Sequence, residues 1–553
     1  MRTLGFINSF DELAGADRRL GRKVASFDLA SALMEHASAD EIIFFLPFAG
    51  ALKHFQRGYA PWLEQSALKK RVKVMPATQI GQIVAGREFW ALHAGELERY
   101  FPELCHLRNR LPAPLFPVTC LPHTLSYWST QVRNLYKVLP GPQPYDSIFC
   151  TSRAARDHLE KALGAAGDRL GGLGLNPAGY GGRLDVVPLG VRAADFARAD
   201  PVEARRRLEI SPETVVLLCL GRLTPHDKYD LMPLLAAVSL LGRRQQIMLL
   251  IAGAGEEYVP QLREAAESLG LSANLRLAVD FDTPLKPWLY AAADIFVSPA
   301  DNLQETFGLT LLEAMAAGLP VVASDFSGYR DIVIPGETGF LIPTLGPQNY
   351  QIFEPAWHLA GERAAATLLA QHTALDLDLL VRALEALTAN PDLCRRMGRA
   401  GRARVAQEFD WPVVVRRMEA VWDDLAALAR QSPPPPPLPD VLGAGLGELF
   451  SHFPSGVLKP DDVIITGPMA GRFARRAWGQ RLLPDLAGFC NLAALEGLLM
   501  ALRARGGSLS LGELAQHLGR RLPPQTVEHL VLHGLKYGIL SLANSPKPPP
   551  EDT

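Results

Sequence analysis

Apolar runs of four to eight residues alternate with helix-period segments along most of the chain, which is the pattern of βαβ units and parallel sheets. The first series holds TLGFINS, EIIFFLP, VKVMPA, FPVTC, YDSIFCTS and RLDVVPLGV, and it ends near Phe196. Amphipathic stretches such as VASFDLASALMEHA and SRAARDHLEKALG lie between them, so the series predicts one doubly wound domain over residues 1–200. A charged helix, VEARRRLEI, leads into a second series: TVVLLCLGR, QIMLLIAGAG, LRLAVDF, DIFVSPA, PVVASDF and GFLIPT. This predicts a second domain of the same α/β kind over 201–430, closed by the helix FDWPVVVRRMEAVWDDLAALAR.

The pattern then breaks at QSPPPPPLPD. Consecutive prolines enter neither a helix nor a central strand, so residues 431–440 read as a stiff linker. Beyond it, 441–545 holds three helical patterns, NLAALEGLLMALRAR, SLGELAQHLG and PPQTVEHLVLHGLKYG, a spacing suited to a helix-turn-helix or winged-helix-like module. The Pro-rich tail 546–553 reads as disordered.

Composition narrows the partners. Lys and Arg number 56 against 58 Asp and Glu, so no overall field points to nucleic acid or an anionic membrane. The carboxyl-terminal stretch from Val441 is also near balance, with eleven basic and nine acidic residues, whereas a nucleic-acid module shows a basic face. A protein is therefore the expected partner of that module. Six scattered cysteines, with no C-x-x-C pair, suit neither zinc nor a disulfide framework and point to the cytoplasm. No apolar run is long enough to span a bilayer, so membrane association is expected to be peripheral at most.

The chemistry concentrates in QETFGLTLLEAMAAGLPVV. The preceding strand DIFVSPA ends in a polar loop, and a helix is predicted from near Gly308 to Gly318-Leu319-Pro320, a stop signal. Glu305 falls in the loop at a strand's carboxyl end, where open α/β sheets bind ligands. Glu313 falls in the second helical turn among apolar neighbours and needs either solvent or a dedicated partner. Amides of Phe307, Gly308 and Leu309 are expected to be free at the helix start. Taken alone, the two acids read as a first-turn acid and a solvated helix residue. Arg222 and Lys228 change that reading, because they follow the strand TVVLLCL and face the same sheet edge with the charge to hold a diphosphate.

These segments resemble the retaining, family 4 glycosyltransferases of the GT-B fold. The match is carried by GRLTPHDK, IAGAG, the E-x7-E element ETFGLTLLEAMAAGLPVVASD and G-x-x-D-I-V-x-x-G-E-T-G-F-L-I-P from Gly328. It extends more weakly through YDSIFCTS, VVPLGV and the His123 segment TCLPHTLS, and spans roughly residues 1 to 430. The resemblance implies two Rossmann-like domains facing a cleft, and transfer of a hexose from a nucleoside diphosphate sugar to an acceptor hydroxyl. It implies that Arg222 and Lys228 hold the diphosphate leaving group, and that Glu313 binds the ribose. Glu305, with the backbone of Phe307, Gly308 and Leu309, holds the sugar, and His123 reaches it from the other domain. The acceptor is unspecified: glycan, lipid-linked compound, small molecule or protein.

The chain departs from the family at three places. Tyr229 stands where many relatives have glycine, Arg192 where many have aspartate, and a single Gly21 replaces the usual Gly-Gly loop near the acceptor. Gly21, with Arg22 and Lys23 behind it, remains a candidate at a helix start. Asp280-Phe281-Asp282 and Asp376-Leu377-Asp378 have the D-x-D form of a metal element but not its single-sheet context, so neither a metal nor any other cofactor is expected. Gly253-Ala254-Gly255 lacks the third glycine of a dinucleotide fingerprint. An alternative of a different class is a nucleotide-sugar-binding, transferase-like protein that acts through its carboxyl-terminal module.

Overall fold

The computed structural model describes residues 2–8, 10, 21–47, 51–111, 115–123, 125–126, 133–175, 179–197, 199–241, 246–349, 361–435, 453–478, 491–518, 522 and 524–543. Two compact units emerge. One comprises Met1–Leu46, Lys53–Met75 and Ile83–Pro439; the other comprises Pro47–Leu52, Pro76–Gln82 and Asp440–Thr553.

The first unit contains both α/β domains. Seven strands, β1 (Thr3–Ile7), β2 (Glu41–Leu46), β3 (Val72–Pro76), β4 (Ala91–Ala94), β5 (Val118–Cys120), β6 (Ser147–Cys150) and β7 (Arg183–Val186), form one sheet in the order β3-β2-β1-β4-β5-β6-β7. Six of them match the apolar runs of the sequence. The seventh, β4, lies in the centre between β1 and β5. Its sequence is ALHA, and a histidine in a four-residue run does not announce a strand. Yet His93 is fully buried, its Nδ1 2.9 Å from the Thr119 hydroxyl. Burial pushes its pKa down to about 3, with the nearby His123 adding to the shift, so the ring is neutral.

The second sheet is wholly parallel: β8 (Val215–Leu220), β9 (Ile247–Gly253), β10 (Leu275–Val279), β11 (Ile295–Ser298), β12 (Val321–Ser324) and β13 (Gly339–Ile342), in the order β10-β9-β8-β11-β12-β13. Helices cover a parallel sheet on both faces, which is why VVLLCL and IFVS are near-continuous apolar runs rather than alternating ones. The long helix Trp411–Gln431 leaves this half and packs on α1 (Gly21–His36) of the other. It buries Trp422, whose Nε1 donates to Thr119 Oγ1 at 2.9 Å.

In the second unit, the three expected helices are present as Leu492–Ala504, Leu511–Leu518 and Pro524–Lys536. They share a core with Ile464, Phe473 and Ile539. The helical patterns gave no sign of a three-stranded antiparallel sheet, which pairs the central β14 (Val463–Thr466) with β15 (Ser508–Ser510) and β16 (Leu540–Leu542). The second half of the proline linker, 436–440, and the whole 546–553 tail lie outside the described residues. No helix among the described residues is long and apolar enough to cross a membrane.

Candidate functional site

Strand order in the second sheet reverses between β8 and β11, which are hydrogen-bonded neighbours. The loops that leave their carboxyl ends diverge there and open a crevice. Arg222 and Lys228 lie in the loop after β8, and Glu305 lies in the loop after β11. All three line a cavity of ≈ 1220 Å³, together with Glu313, Phe307, Gly308, Leu309 and, from the first sheet's side, His123.

Lys228 Nζ pairs directly with Glu305 Oε2, and both side chains are mostly buried. The Phe307 amide donates to the other carboxylate oxygen at 3.2 Å, and the Tyr329 hydroxyl donates to Oε2, also at 3.2 Å. Burial alone would raise the Glu305 pKa. The Lys228 charge and hydrogen bond, with those two donors, outweigh it and hold the carboxyl below its usual range. Arg222 Nη1 meets Asp227 Oδ1 at 2.8 Å, and its Nη2 donates to the Asp227 carbonyl at 2.8 Å. The expected pair of cations is thus no bare anion hole, since each holds an acid of the chain.

Glu313 is buried on the helix Leu309–Ala317. The dedicated partner it needed is Lys286, which pairs with Oε1, while the Tyr290 hydroxyl donates to Oε2 at 2.7 Å. Lys286 also lines the cavity, and sequence reasoning missed it. It opens a separate helix, Lys286–Ala292, and no spacing ties it to Glu313. Tyr290 and Tyr329 were missed for the same reason.

The helix behind the loop is set by its ends. Gly308 precedes it with φ +123°, and a Cβ there would stand 2.7 Å from the Tyr329 ring. Glycine therefore meets two demands, a left-handed backbone and close contact with the ring that holds Glu305. Of the three amides expected to be free, that of Phe307 is taken by Glu305; Gly308 and Leu309 supply the next two, at positions where a helix offers no acceptor of its own.

His123 follows β5 and lies 3.2 Å from Ser26 Oγ on α1. Gly21 is the first residue of α1, and the loop before it, 11–20, lies outside the described residues, as do the side chains of residues 21 and 22. Tyr229 fills the space beside Gly221, where a Cβ would meet its hydroxyl at 2.3 Å, and its ring lies 5.5 Å from Lys228 Nζ. Arg192 ties the segment after β7 to α1, donating to Glu35 Oε2 and Ser31 Oγ at 2.7 Å each. Asp376 caps the helix Leu377–Thr388, which accounts for that D-x-D triplet.

Residues 202–350 match the family model described as glycosyl transferases group 1. The D-inositol 3-phosphate glycosyltransferase of Geodermatophilus obscurus is 38% identical over 176 residues, which cover 30% of this chain and 38% of that protein. Its counterpart in Actinosynnema mirum is 32% identical over 238 residues, 41% of this chain and 54% of the relative. The matched region thus spans between about two-fifths and just over half of these curated relatives. Among solved structures, the sucrose-phosphate synthase of Thermosynechococcus elongatus superposes with a TM-score of 0.50 at 17% identity, covering 77% of this chain and 100% of that one. Anabaena HepE in complex with UDP gives the same four values. Residues 202–350 therefore form a glycosyl transferases group 1 domain, carried in a chain with the two-sheet GT-B fold.

Proposed function

We propose that this chain is a retaining glycosyltransferase that moves a hexose from a nucleoside diphosphate sugar to an acceptor hydroxyl without a metal ion. The observation that carries the reading is the meeting of Arg222 and Lys228, after β8, with Glu305 and Glu313, after β11, on one cavity at the switch point. In the reaction, the bond from the anomeric carbon to the diphosphate breaks and its electron pair passes to a phosphate oxygen. Arg222 and Lys228 stabilise that growing charge by exchanging their chain carboxylates for the diphosphate. The acceptor oxygen bonds to the same face of the sugar, and its proton goes to the departing phosphate. Glu305 and the Gly308 and Leu309 amides orient the sugar, Glu313 with Lys286 takes the ribose, and His123 contacts the sugar from the first domain. The five cysteines among the described residues are free thiols, four of them buried, which supports a cytoplasmic setting.

A panel of nucleoside diphosphate sugars, read by thermal shift and by nucleotide release, tests this reading. Wild type is expected to bind and turn over at least one donor, with activity surviving chelator. Glu313→Gln and Lys228→Ala are each expected to lower binding or turnover at least tenfold. Unchanged binding and turnover in both variants would remove the site assignment, and complete loss with chelator would remove the metal-independent mechanism.

A second reading rests on the independent core of Asp440–Thr553, built on Ile464, Leu498, Leu514 and Val527. There the winged-helix-like module recruits a protein partner and the transferase body serves mainly as a nucleotide-sugar sensor. Donor binding without transfer to any acceptor, water included, would favour it.

A further inference from the structure

The hydroxyl of Ser152, in the first α/β domain, is aimed at the loop that carries Glu305. Ser152 is fully buried and precedes the twenty-residue helix Arg153–Gly172. Its Oγ accepts from the Ala155 amide at 3.1 Å, an N-cap bond that any Ser, Thr, Asp or Asn would supply. The same Oγ donates to the carbonyl of Thr306 at 2.8 Å, across 154 residues of sequence. That second bond is not needed for capping.

Its target matters because of peptide planarity. The Thr306 carbonyl and the Phe307 N–H belong to one rigid amide, so fixing the oxygen aims the hydrogen. That hydrogen is the one donated to Glu305 Oε1. A hydrogen bond at the carbonyl also polarises the amide and strengthens what its N–H donates. The next residue repeats the connection. Arg153 donates through its amide and its Nε to the two oxygens of Asp331, both at 2.6 Å. Asp331 lies on the short helix Tyr329–Ile332, whose first residue holds Glu305 through its hydroxyl. Gly328, just before it, packs so tightly on the loop that a Cβ would stand 2.4 Å from the Thr306 oxygen.

We propose that Ser152, with Arg153 beside it, is a positioning element: from the first domain it sets the Thr306–Phe307 peptide, and through that peptide the orientation of the Glu305 carboxylate toward the donor sugar. The consequence for donor handling rests on the function proposed above; the Ser152 contact itself does not. The sugar grip is then complete only while the start of this first-domain helix is docked on the second.

Three variants separate capping from positioning. Ser152→Thr keeps both the acceptor and the donor, Ser152→Asp keeps the cap but has no hydrogen to donate near neutral pH, and Ser152→Ala keeps neither. Two measurements are made on the full chain: amide exchange of peptides covering 304–308 without any nucleotide, and nucleotide release from UDP-glucose and GDP-mannose alongside the affinities for UDP and GDP. Ser152→Asp is expected to exchange the peptides covering 304–308 at least tenfold faster and to lose at least tenfold in kcat. Its affinity for UDP or GDP should stay within about twofold, and Ser152→Thr should recover both exchange and kcat. Wild-type exchange and kcat in Ser152→Asp would overturn the proposal, as would a loss in Ser152→Ala alone, which marks a capping role. A wild-type chain that binds neither nucleotide nor nucleotide sugar, while 304–308 exchange still depends on Ser152, would defeat the proposed function and leave the positioning role supported.

Discussion

Glu305 and Glu313 bring charge into a mostly apolar wall, and each is held there by a lysine, Lys228 from the loop after β8 and Lys286 from the start of a separate helix. For Glu305 the lysine and the Phe307 and Tyr329 donors together outweigh burial, so its native pKa lies below the ordinary value of 4.5. A carboxyl depressed in this way adds stability at pH values above 4.5 and loses that contribution as pH falls through the lower native value. Lys228→Met removes the largest opposing influence and leaves burial to raise the pKa. The variant should lose about 3–5 kcal/mol near neutrality as an uncompensated buried charge, and it should regain part of that loss as pH falls through the raised native value, where wild type instead loses its own contribution. Urea unfolding across a pH series measures both, and coincident wild-type and variant curves would contradict the assigned pair. The acids themselves were legible, because E-x7-E and its apolar surroundings are local. Their partners were not, since Lys228 and Glu305 are 77 residues apart and Lys286 and Glu313 are 27.

At the level of strands and helices, the helix Leu309–Ala317 depends on a glycine before it. Gly308→Ala combines a left-handed backbone with a clash on Tyr329, so it should cost about 1–3 kcal/mol and lower turnover more than nucleotide affinity. Equal stability by denaturant unfolding would refute this reading of φ. Strand β4 makes a separate prediction. A histidine whose native pKa is about 3 lets the unfolded chain bind a proton that the folded chain refuses, so stability should fall as pH drops from about 6.5 toward 3. His93→Gln, which keeps a polar group for Thr119, should flatten that part of the stability curve at some cost near neutrality. An unchanged slope would mean that the ring is charged or accessible. A third prediction concerns the buried pair at the amino-terminal ends of β5 and β6 in the same sheet. Arg108 donates to both Asp146 oxygens, at 2.9 and 2.6 Å, and the Val118 amide donates to the same carboxylate. Arg108→Ala should cost about 3–5 kcal/mol, because it strands that charge in a fully buried position.

For the molecule as a whole, the division into two units with separate cores has a thermodynamic consequence. A nucleoside diphosphate sugar that binds in the cavity stabilises only the unit that contains it. At a hundredfold excess over its dissociation constant it should add about 2.7 kcal/mol to that unit. Calorimetry is expected to resolve two transitions, of which the donor moves only that of the α/β unit. A donor-dependent shift of both would couple Asp440–Thr553 to the site.

The alternation of apolar runs and amphipathic segments was enough to read two doubly wound sheets, because burial on both faces writes itself into each strand independently of its neighbours. Strand β4 escaped because four residues with a histidine carry too little periodicity, and the strands of the second unit escaped because each is only three or four residues long. The motif residues around Glu305 were equally local. Which cation meets which acid, and that Ser152 reaches Thr306 from the other α/β domain, follow instead from strand order. That order brings the ends of β8 and β11 together and sets the start of the 153–172 helix against them. Contacts across tens of residues depend on how the sheets are wound, and no short-range pattern of polarity encodes that.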